Sequence, residues 1–217
     1  MKTLSSSIVS KGFIGLCCAT LLFTACGDNS APNGSTVVTG PYAEFAKSIE
    51  LLNNTDPIAI VDTDQGTFGI ELYEKMVPNS VQHFGQMVGE KRYENSSIYN
   101  VVNNFAIYMG DASGNGVEDA QIQPLSLETH PDLHHDSEGV VGFVHQTGSN
   151  CVAGNDQATC LANALNSARS FFYITLAAEP SLDNVYAPFG RVVKGMEIVK
   201  NLKKGNKIKS ITIVKRQ

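Results

Sequence analysis

The chain has 217 residues, of which 42% are hydrophobic and 17% are charged, and its formal net charge is −5. This length suits one domain with a substantial core and is too short for two domains of typical size. The acidic balance, without a stripe of basic residues, argues against binding to a nucleic-acid backbone, which requires clustered lysine and arginine.

The amino terminus has the pattern of a signal peptide. Lys2 and Lys11 precede an apolar run at 13–23. This run is shorter than the roughly 20 residues of a permanent membrane-spanning helix. The run ends in Leu-Leu-Phe-Thr-Ala-Cys at 21–26. This segment resembles the lipobox of bacterial lipoproteins, which implies that residues 1–25 are removed and that Cys26 carries a lipid. The alternatives are an ordinary secretory signal or a buried apolar helix.

Residues 26–40 are interpreted as the lipidated cysteine and a flexible tether. The segment is rich in glycine, serine, asparagine, threonine and proline, and such a coil would span about 20 Å. Removal of residues 1–25 takes away two lysines and no acidic residue, so the mature chain carries 14 basic and 21 acidic side chains. We expect an exported protein that is lipid-anchored to a bacterial membrane, with its domain in the periplasm or outside the cell.

Five cysteines occur in the chain, and their positions agree with export. Cys17 and Cys18 leave with the signal peptide, and Cys26 takes the lipid. Cys151 and Cys160 remain for one disulfide, which would stabilise an inserted loop by about 2 to 3 kcal/mol in an oxidising compartment. The alternative is a pair of free buried thiols.

The segment 41–56 is predicted to be a short amphipathic helix followed by a linker. Its apolar residues recur at helical spacing. They are Tyr42, Phe45, Ala46, Ile49 and Leu52. The helix is expected to pack against the domain that follows.

From residue 57 the pattern becomes mainly β. Apolar and polar residues alternate in short segments bounded by turn signals, and two further segments have helical spacing. The predicted strands are 58–63, 67–72, 98–102, 106–109, 140–144, 172–176, 187–193 and 207–214, and the predicted helices are 78–89 and 196–202. Many short strands with two helices indicate a closed antiparallel barrel.

Four segments in the same order and spacing resemble the cyclophilin family of peptidyl-prolyl isomerases. They are 62–73, which resembles the family's first hairpin, 77–84, which resembles the start of its first helix, 127–141, and 181–197 with Phe-Gly-Arg-Val-Val-Lys-Gly-Met at 189–196. The resemblance covers residues 57–217. It implies a closed eight-stranded barrel capped by two helices, and an enzyme that accelerates rotation about X-Pro peptide bonds.

The resemblance also places the proline-binding residues. The family's catalytic arginine is replaced by Asn100, whereas the aromatic floor of the pocket is kept as Phe105 and an apolar wall is kept as Leu182. The remaining pocket positions are substituted. Ala106 stands for a methionine, Tyr108 for a glutamine, Tyr173 for a phenylalanine and Tyr186 for a histidine. The resemblance therefore implies catalytic positions at Asn100 and Phe105, with the other residues binding substrate, although Tyr173 and Leu182 could equally be packing residues.

The predicted function is a cyclophilin-type isomerase that assists the folding of exported proteins with weak activity. Asn100 is too short and neutral to replace a guanidinium group. The alternative is an inactive module or chaperone-like lipoprotein that binds proline-containing segments without isomerising them. The expected partners are such segments and, through the lipid, a membrane, and the protein is expected to be a monomer.

A cluster of acidic residues and histidines occupies 128–136, between Glu128 and Asp136. Such a stretch could bind metal, but its spacing matches no zinc pattern, and polar loops are usually solvated. We therefore expect neither a metal nor a cofactor.

Overall fold

The computed structural model describes residues 42–49, 55–146 and 156–215. The predicted signal peptide, Cys26, the tether up to residue 40, Leu52 and Cys151 lie outside the described residues. Among the described helices, none is both long and apolar enough to cross a membrane.

Eight strands form one antiparallel sheet, and all eight were predicted to within two residues at each end. They are β1 (Ile58–Thr63), β2 (Gly66–Leu72), β3 (Ser97–Val102), β4 (Ala106–Asp111), β5 (Val140–Phe143), β6 (Phe172–Thr175), β7 (Pro188–Lys194) and β8 (Ile208–Val214). The mainly β prediction is therefore confirmed.

The sheet is curled, and its order is β3-β4-β6-β5-β7-β2-β1-β8. The two edge strands, β3 and β8, approach each other at one end only. There, Ser97 forms an isolated bridge with Lys207, and the N–H of Ile98 donates to the carbonyl oxygen of Asn206 at 2.9 Å. The described strands thus form an open half-barrel, and a fully closed barrel stays a prediction.

Four α-helices accompany the sheet in the described residues. They are α1 (Ala43–Lys47), α2 (Pro78–Gly89), α3 (Gln157–Leu165) and α4 (Met196–Asn201). Three of these were predicted, whereas α3 lies in a segment that was expected to be an irregular loop. Asp156 begins this helix, because its carboxylate accepts a hydrogen bond from the N–H of Thr159 at 2.7 Å and satisfies one of the free donors of the first turn.

The core lies between α2 and the inner face of the sheet. The ring of Phe84 on α2 packs 5.6 Å from that of Phe172, 5.1 Å from that of Phe189 and 5.4 Å from that of Tyr93. All four side chains are fully buried. Aromatic packing of this kind contributes strongly to stability, since truncation of a buried phenylalanine typically costs about 3 to 5 kcal/mol.

Helix α1 covers part of the outer face of the sheet, at β1 and β2. Ala46 and Ile49 pack with Ile58 and Ile60 in a second apolar cluster. The residues that follow the helix come so close to β2 that a Cβ atom at Gly69 would lie 2.7 Å from Cδ1 of Ile49. The predicted packing of this helix on the domain is therefore confirmed.

Candidate proline-binding face

A bulge in β3 brings two consecutive side chains to the outer face of the sheet. The pairing of β3 with β4 shifts register between Ile98 and Asn100. Ile98 is buried in the core, and the partly buried Val101 packs against it. Tyr99 and Asn100, which lie between them, therefore point outward, where regular alternation would have placed only one of them.

The candidate site is built on a transverse row of paired residues. Asn100 pairs with Tyr108, Tyr108 with Tyr173, and Tyr173 with Gly142. Directly paired residues of antiparallel strands lie on the same face. Since the neighbouring Phe172 is in the core, this row belongs to the outer face of β3, β4, β6 and β5.

Tyrosine and phenylalanine rings cover this row, and we call them the aromatic face: Tyr99, Tyr108, Phe171, Tyr173 and Tyr186. Ring centroids are 6.0 Å apart for Tyr99 and Tyr108, 6.4 Å for Tyr108 and Tyr173, and 5.8 Å for Tyr173 and Tyr186. Burial raises the pKa of the Tyr108 and Tyr186 phenols. Both are therefore neutral at pH 7, and the face offers apolar surface with neutral hydroxyl groups.

The other residues predicted for the site lie around the aromatic face. Ala106 is buried at the start of β4, and Phe105 is half-buried in the turn that joins β3 to β4. Leu182 is half-buried in the loop between β6 and β7, where its carbonyl oxygen accepts from the N–H of Tyr186 at 2.8 Å. Asn100 is exposed to solvent. The sheet register thus brings Asn100, Tyr108 and Tyr173 together, and a ring contact adds Tyr186.

A buried hydrogen-bond chain holds the Tyr173 ring in place. The hydroxyl of Tyr173 lies 2.7 Å from Nε2 of His135, and Nδ1 of His135 lies 2.8 Å from Oδ1 of Asp183. Hydrogen bonds from His135 and His134 hold the pKa of Asp183 below its usual value, against the opposing effect of its own burial. Burial also lowers the pKa of His135. Neutral His135 therefore donates a hydrogen bond from Nδ1 to the carboxylate and accepts one at Nε2 from the Tyr173 hydroxyl.

The ring of Tyr173 leans across β5, which requires a glycine there. A Cβ atom at Gly142 would lie 2.3 Å from the Tyr173 hydroxyl oxygen. A side chain at this position would therefore displace Tyr173 from its hydrogen bond with His135.

The acidic and histidine-rich segment 128–136 has structural roles in this fold. The Glu128 carboxylate caps α2, because it accepts hydrogen bonds from the N–H of Ser80 at 2.7 Å and from the N–H of Asn79 at 3.2 Å. His134 and His135 share the Asp183 carboxylate. Among the described residues, no three histidine, cysteine, aspartate or glutamate side chains are grouped as metal ligands.

His145 supports Tyr186 at the edge of the aromatic face. The two rings stack with centroids 4.1 Å apart, and Nε2 of His145 donates to the carbonyl oxygen of Val185 at 2.8 Å. Its Nδ1 atom is buried and has no hydrogen-bond partner among the described residues. With Nε2 as the donor, Nδ1 is an unused acceptor beside the site.

Four residues contribute to this site although the sequence did not predict them there: Tyr99, Phe171, His135 and His145. Tyr99 is hidden by the bulge, because regular alternation would separate it from Asn100. His135 lies in the polar segment 128–136, which favours a solvated loop. Its burial depends on the loop between β6 and β7, which is distant in the sequence. No local signal in the sequence marks His145.

The inserted segment contains a disulfide at Cys160, which lies in α3. Its predicted partner, Cys151, lies outside the described residues. The pairing of these two cysteines stays a prediction.

Comparisons with a family model and with known proteins point to the same family. Residues 58–216 match the family model described as cyclophilin type peptidyl-prolyl cis-trans isomerase/CLD. The chain is 30% identical over 149 residues to Peptidyl-prolyl cis-trans isomerase CYP18-2 of Arabidopsis thaliana, a match that covers 67% of this chain and 80% of the relative. It is 28% identical over 145 residues to Peptidyl-prolyl cis-trans isomerase-like 1 of Aspergillus fumigatus, covering 66% of this chain and 80% of the relative.

A solved structure has the same fold. The crystal structure of a cyclophilin type peptidyl-prolyl cis-trans isomerase from Cryptosporidium parvum aligns with a TM-score of 0.61 at 22% identity, over 73% of this chain and 97% of that one. Because the family model spans most of the domain, including every strand of the sheet and both the aromatic face and Asn100, this chain belongs to the cyclophilin-type peptidyl-prolyl cis-trans isomerase family.

Proposed function

We propose that the chain is a peptidyl-prolyl cis-trans isomerase that binds X-Pro segments on its aromatic face and catalyses their isomerisation weakly. The observation that carries this proposal is the transverse row in which Asn100, Tyr108 and Tyr173 lie side by side. The half-buried rings of Tyr108 and Tyr186 offer apolar surface to a proline ring, together with the neighbouring Phe105 and Leu182. Apart from the tyrosine hydroxyls, the row carries one polar side chain, the neutral amide of Asn100.

The chemistry explains why the residue at position 100 matters. Rotation about the X-Pro bond must overcome a barrier of about 18 to 20 kcal/mol that arises from amide resonance. A hydrogen bond to the proline nitrogen becomes stronger as resonance is lost, so a well-placed donor lowers the barrier. Loss of one preorganised donor costs other enzymes about 10²- to 10³-fold in rate. Asn100 is exposed and carries no charge, so it is expected to supply little of this stabilisation.

A second candidate function is binding without turnover, and the substitutions at the aromatic face favour it. Tyr108 and Tyr186 stand where the resemblance implies a glutamine and a histidine, and both pack against Tyr173. Ring burial on such a surface stabilises the ground state and the transition state alike, which gives affinity without catalysis.

Exchange NMR on one X-Pro peptide separates the two candidates. We expect the chain to accelerate cis-trans exchange above the uncatalysed rate, yet far less than an arginine-bearing cyclophilin measured beside it. Shifts of peptide resonances without faster exchange would establish the second candidate. Activity equal to that of the arginine-bearing enzyme would contradict the assignment of Asn100 as a weakened catalytic position.

We further propose that the enzyme is an exported lipoprotein that is tethered through Cys26 to a bacterial membrane and acts on exported proteins as a monomer. The support is the lipobox-like segment 21–26, the glycine- and serine-rich tether and the use of cysteine. Replacement Cys26→Ser should abolish lipid labelling and membrane association. Labelling that survives this replacement would contradict the anchor.

Two finer structural proposals go with this function. The hydrogen bond between Ile98 and Asn206 supports closure of the half-barrel into a full barrel between β3 and β8. The disulfide at Cys160 supports pairing with Cys151, and mass spectrometry of the exported protein should find these two residues cross-linked.

A further inference from the structure

A cavity of about 320 Å³ lies on the outer face of β2, β5 and β7, outside the aromatic face. Its lining combines four carboxylate side chains with one arginine. The charged residues are Asp56, Glu71, Asp132, Asp136 and Arg191. The formal charge of this lining is therefore strongly negative, and the site described above makes no use of it.

Asp56 is a buried carboxylate in the lining of this cavity. The side chain is only 2% exposed, and its Oδ1 atom has no hydrogen-bond partner among the described residues. A buried carboxylate oxygen without a donor is unfavourable by about 1 to 3 kcal/mol or more. Burial raises the pKa of Asp56, while the charge of Lys75 acts in the opposite direction. Because Asp56 lines the cavity, a cation bound there would stabilise the charged form of this carboxylate.

The cavity adjoins the aromatic face along β5. Val140 lines the cavity, and Gly142, two residues further along the strand, lies beneath the Tyr173 hydroxyl. Two residues of a strand span about 6.6 Å. His134 also lines the cavity, and its neighbour His135 holds Tyr173. One short segment of the chain therefore forms a wall of both sites.

We propose that this cavity binds the ammonium or guanidinium group of a lysine or arginine side chain in a client segment whose proline lies on the aromatic face. This inference rests on the proposed function and specifies its substrates. An extended peptide covers about 3.3 to 3.6 Å per residue, so the basic residue belongs about two to four positions from the proline. Carboxylates are the preferred partners of both cationic groups.

The test uses the whole chain and pairs of capped peptides that contain one Ala-Pro unit. One member of each pair carries lysine at two, three or four positions on either side of the proline, and its twin carries norleucine, which has a similar aliphatic stem and no charge. NMR titration at low salt gives the dissociation constants. We expect at least one lysine peptide to bind about tenfold more tightly than its twin, as one charge-assisted hydrogen bond allows.

Three variants locate the effect. Asp56→Asn keeps the shape of the side chain and should remove most of the lysine preference, and Asp136→Asn, at an exposed position of the cavity, should weaken it. Glu197→Gln changes the net charge equally at an exposed site on α4 and should retain the preference. The amide spectrum of each variant checks its fold.

Each outcome decides the inference. A lysine preference at no position, one that survives Asp56→Asn, or one that Glu197→Gln removes equally, overturns the inference while the proposed function stands, provided that the norleucine peptides still bind. If the norleucine peptides do not bind, the proposed function fails, and the inference fails with it because the proline is not held.

Discussion

Phe172 and Tyr173 are neighbours in β6, but their side chains lie on opposite faces of the sheet. Phe172 is packed among the rings of Phe84 and Tyr93 in the core. Tyr173 is almost as fully buried, yet its hydroxyl is part of a polar chain that ends at Asp183. Burial of these two neighbours therefore has different consequences. The Phe172 ring packs the sheet against α2, whereas the Tyr173 ring is fixed on the face that is proposed to bind proline.

The contrast implies that folding and function can be changed separately. Substitutions on the inner face should lower the free energy of unfolding, and substitutions on the outer face should mainly alter the binding or turnover of proline peptides. The hydrogen-bond chain behind Tyr173 is the exception, because it is a polar network within the outer face. Four predictions examine this division, from the largest effect to the smallest.

The inner face should give the largest loss of stability. Phe172→Ala removes a fully buried ring and should lower the free energy of unfolding by about 3 to 5 kcal/mol in urea denaturation. Tyr108→Ala, at a half-buried ring of the outer face, is the matched comparison and should cost clearly less. Equal losses for the two variants would show that both faces contribute alike to folding.

The outer face should give the largest change in turnover. Asn100→Arg places a cationic donor beside the aromatic face and should raise the rate of isomerisation by up to about 10²-fold. Tyr108 is its direct partner in the sheet and could block the guanidinium group, so the double variant with Tyr108→Gln is the fuller test. Because position 100 is exposed, the free energy of unfolding should change by less than about 0.5 kcal/mol.

Exchange NMR with the same X-Pro peptide measures both variants and the parent. Peptide affinity should change much less than turnover, because the ring contacts are common to ground and transition states. A double variant that gains no activity would show that the proline pocket is altered beyond the loss of one donor.

The polar chain should have an intermediate effect on stability. Tyr173→Phe leaves Nε2 of His135 as a buried acceptor without a partner, which should cost about 1 to 3 kcal/mol in denaturant unfolding. Tyr186→Phe removes a hydroxyl from the half-buried ring that contacts Tyr173 and serves as the control, with an expected cost below about 0.5 kcal/mol. If the two variants were equally stable, the hydrogen bond to His135 would have no net value.

The smallest effect should appear as a dependence of stability on pH. The pKa of His135 is lower in the folded chain than its ordinary value of 6.5, mainly because the ring is buried. The unfolded chain therefore takes up a proton first as the pH falls below about 6.5, and the free energy of unfolding drops until the pH passes the folded pKa. The slope is at most about 1.4 kcal/mol per pH unit.

Unfolding measured between pH 7.5 and pH 5 tests this contribution. His135→Gln should reduce the slope below pH 6.5, whereas Tyr186→Phe, which leaves every histidine in place, should leave the slope unchanged. An unchanged slope in His135→Gln would mean that other groups cause the dependence.

The inner face of the sheet could be predicted from the sequence, because alternation of apolar residues is a local signal. All eight strands follow from this alternation, and three of the helices follow from the helical spacing of their apolar residues. The helix α3 differs from the loop expected between β5 and β6, and its local signal is Asp156, which acts as the N-cap residue.

The outer face could be predicted only in part. Resemblance to the family located Asn100, Tyr108, Tyr173 and Tyr186, and the sheet register and ring contacts bring these four together. The bonding of His135 and Asp183 could not be predicted, since 48 residues separate them along the chain. Likewise, the acidic cavity combines residues from before β1 to β7, and no local pattern announces it.

The position of α1 has a consequence for how clients would reach the enzyme. This helix covers β1 and β2, the seventh and sixth strands of the sheet order, whereas the aromatic face lies on β3, β4 and β6, the first three. Two strands, β5 and β7, lie between these groups in the sheet order. The helix therefore leaves uncovered the edge of the sheet that carries the aromatic face, and a client segment could lie across β3, β4 and β6 without displacing α1.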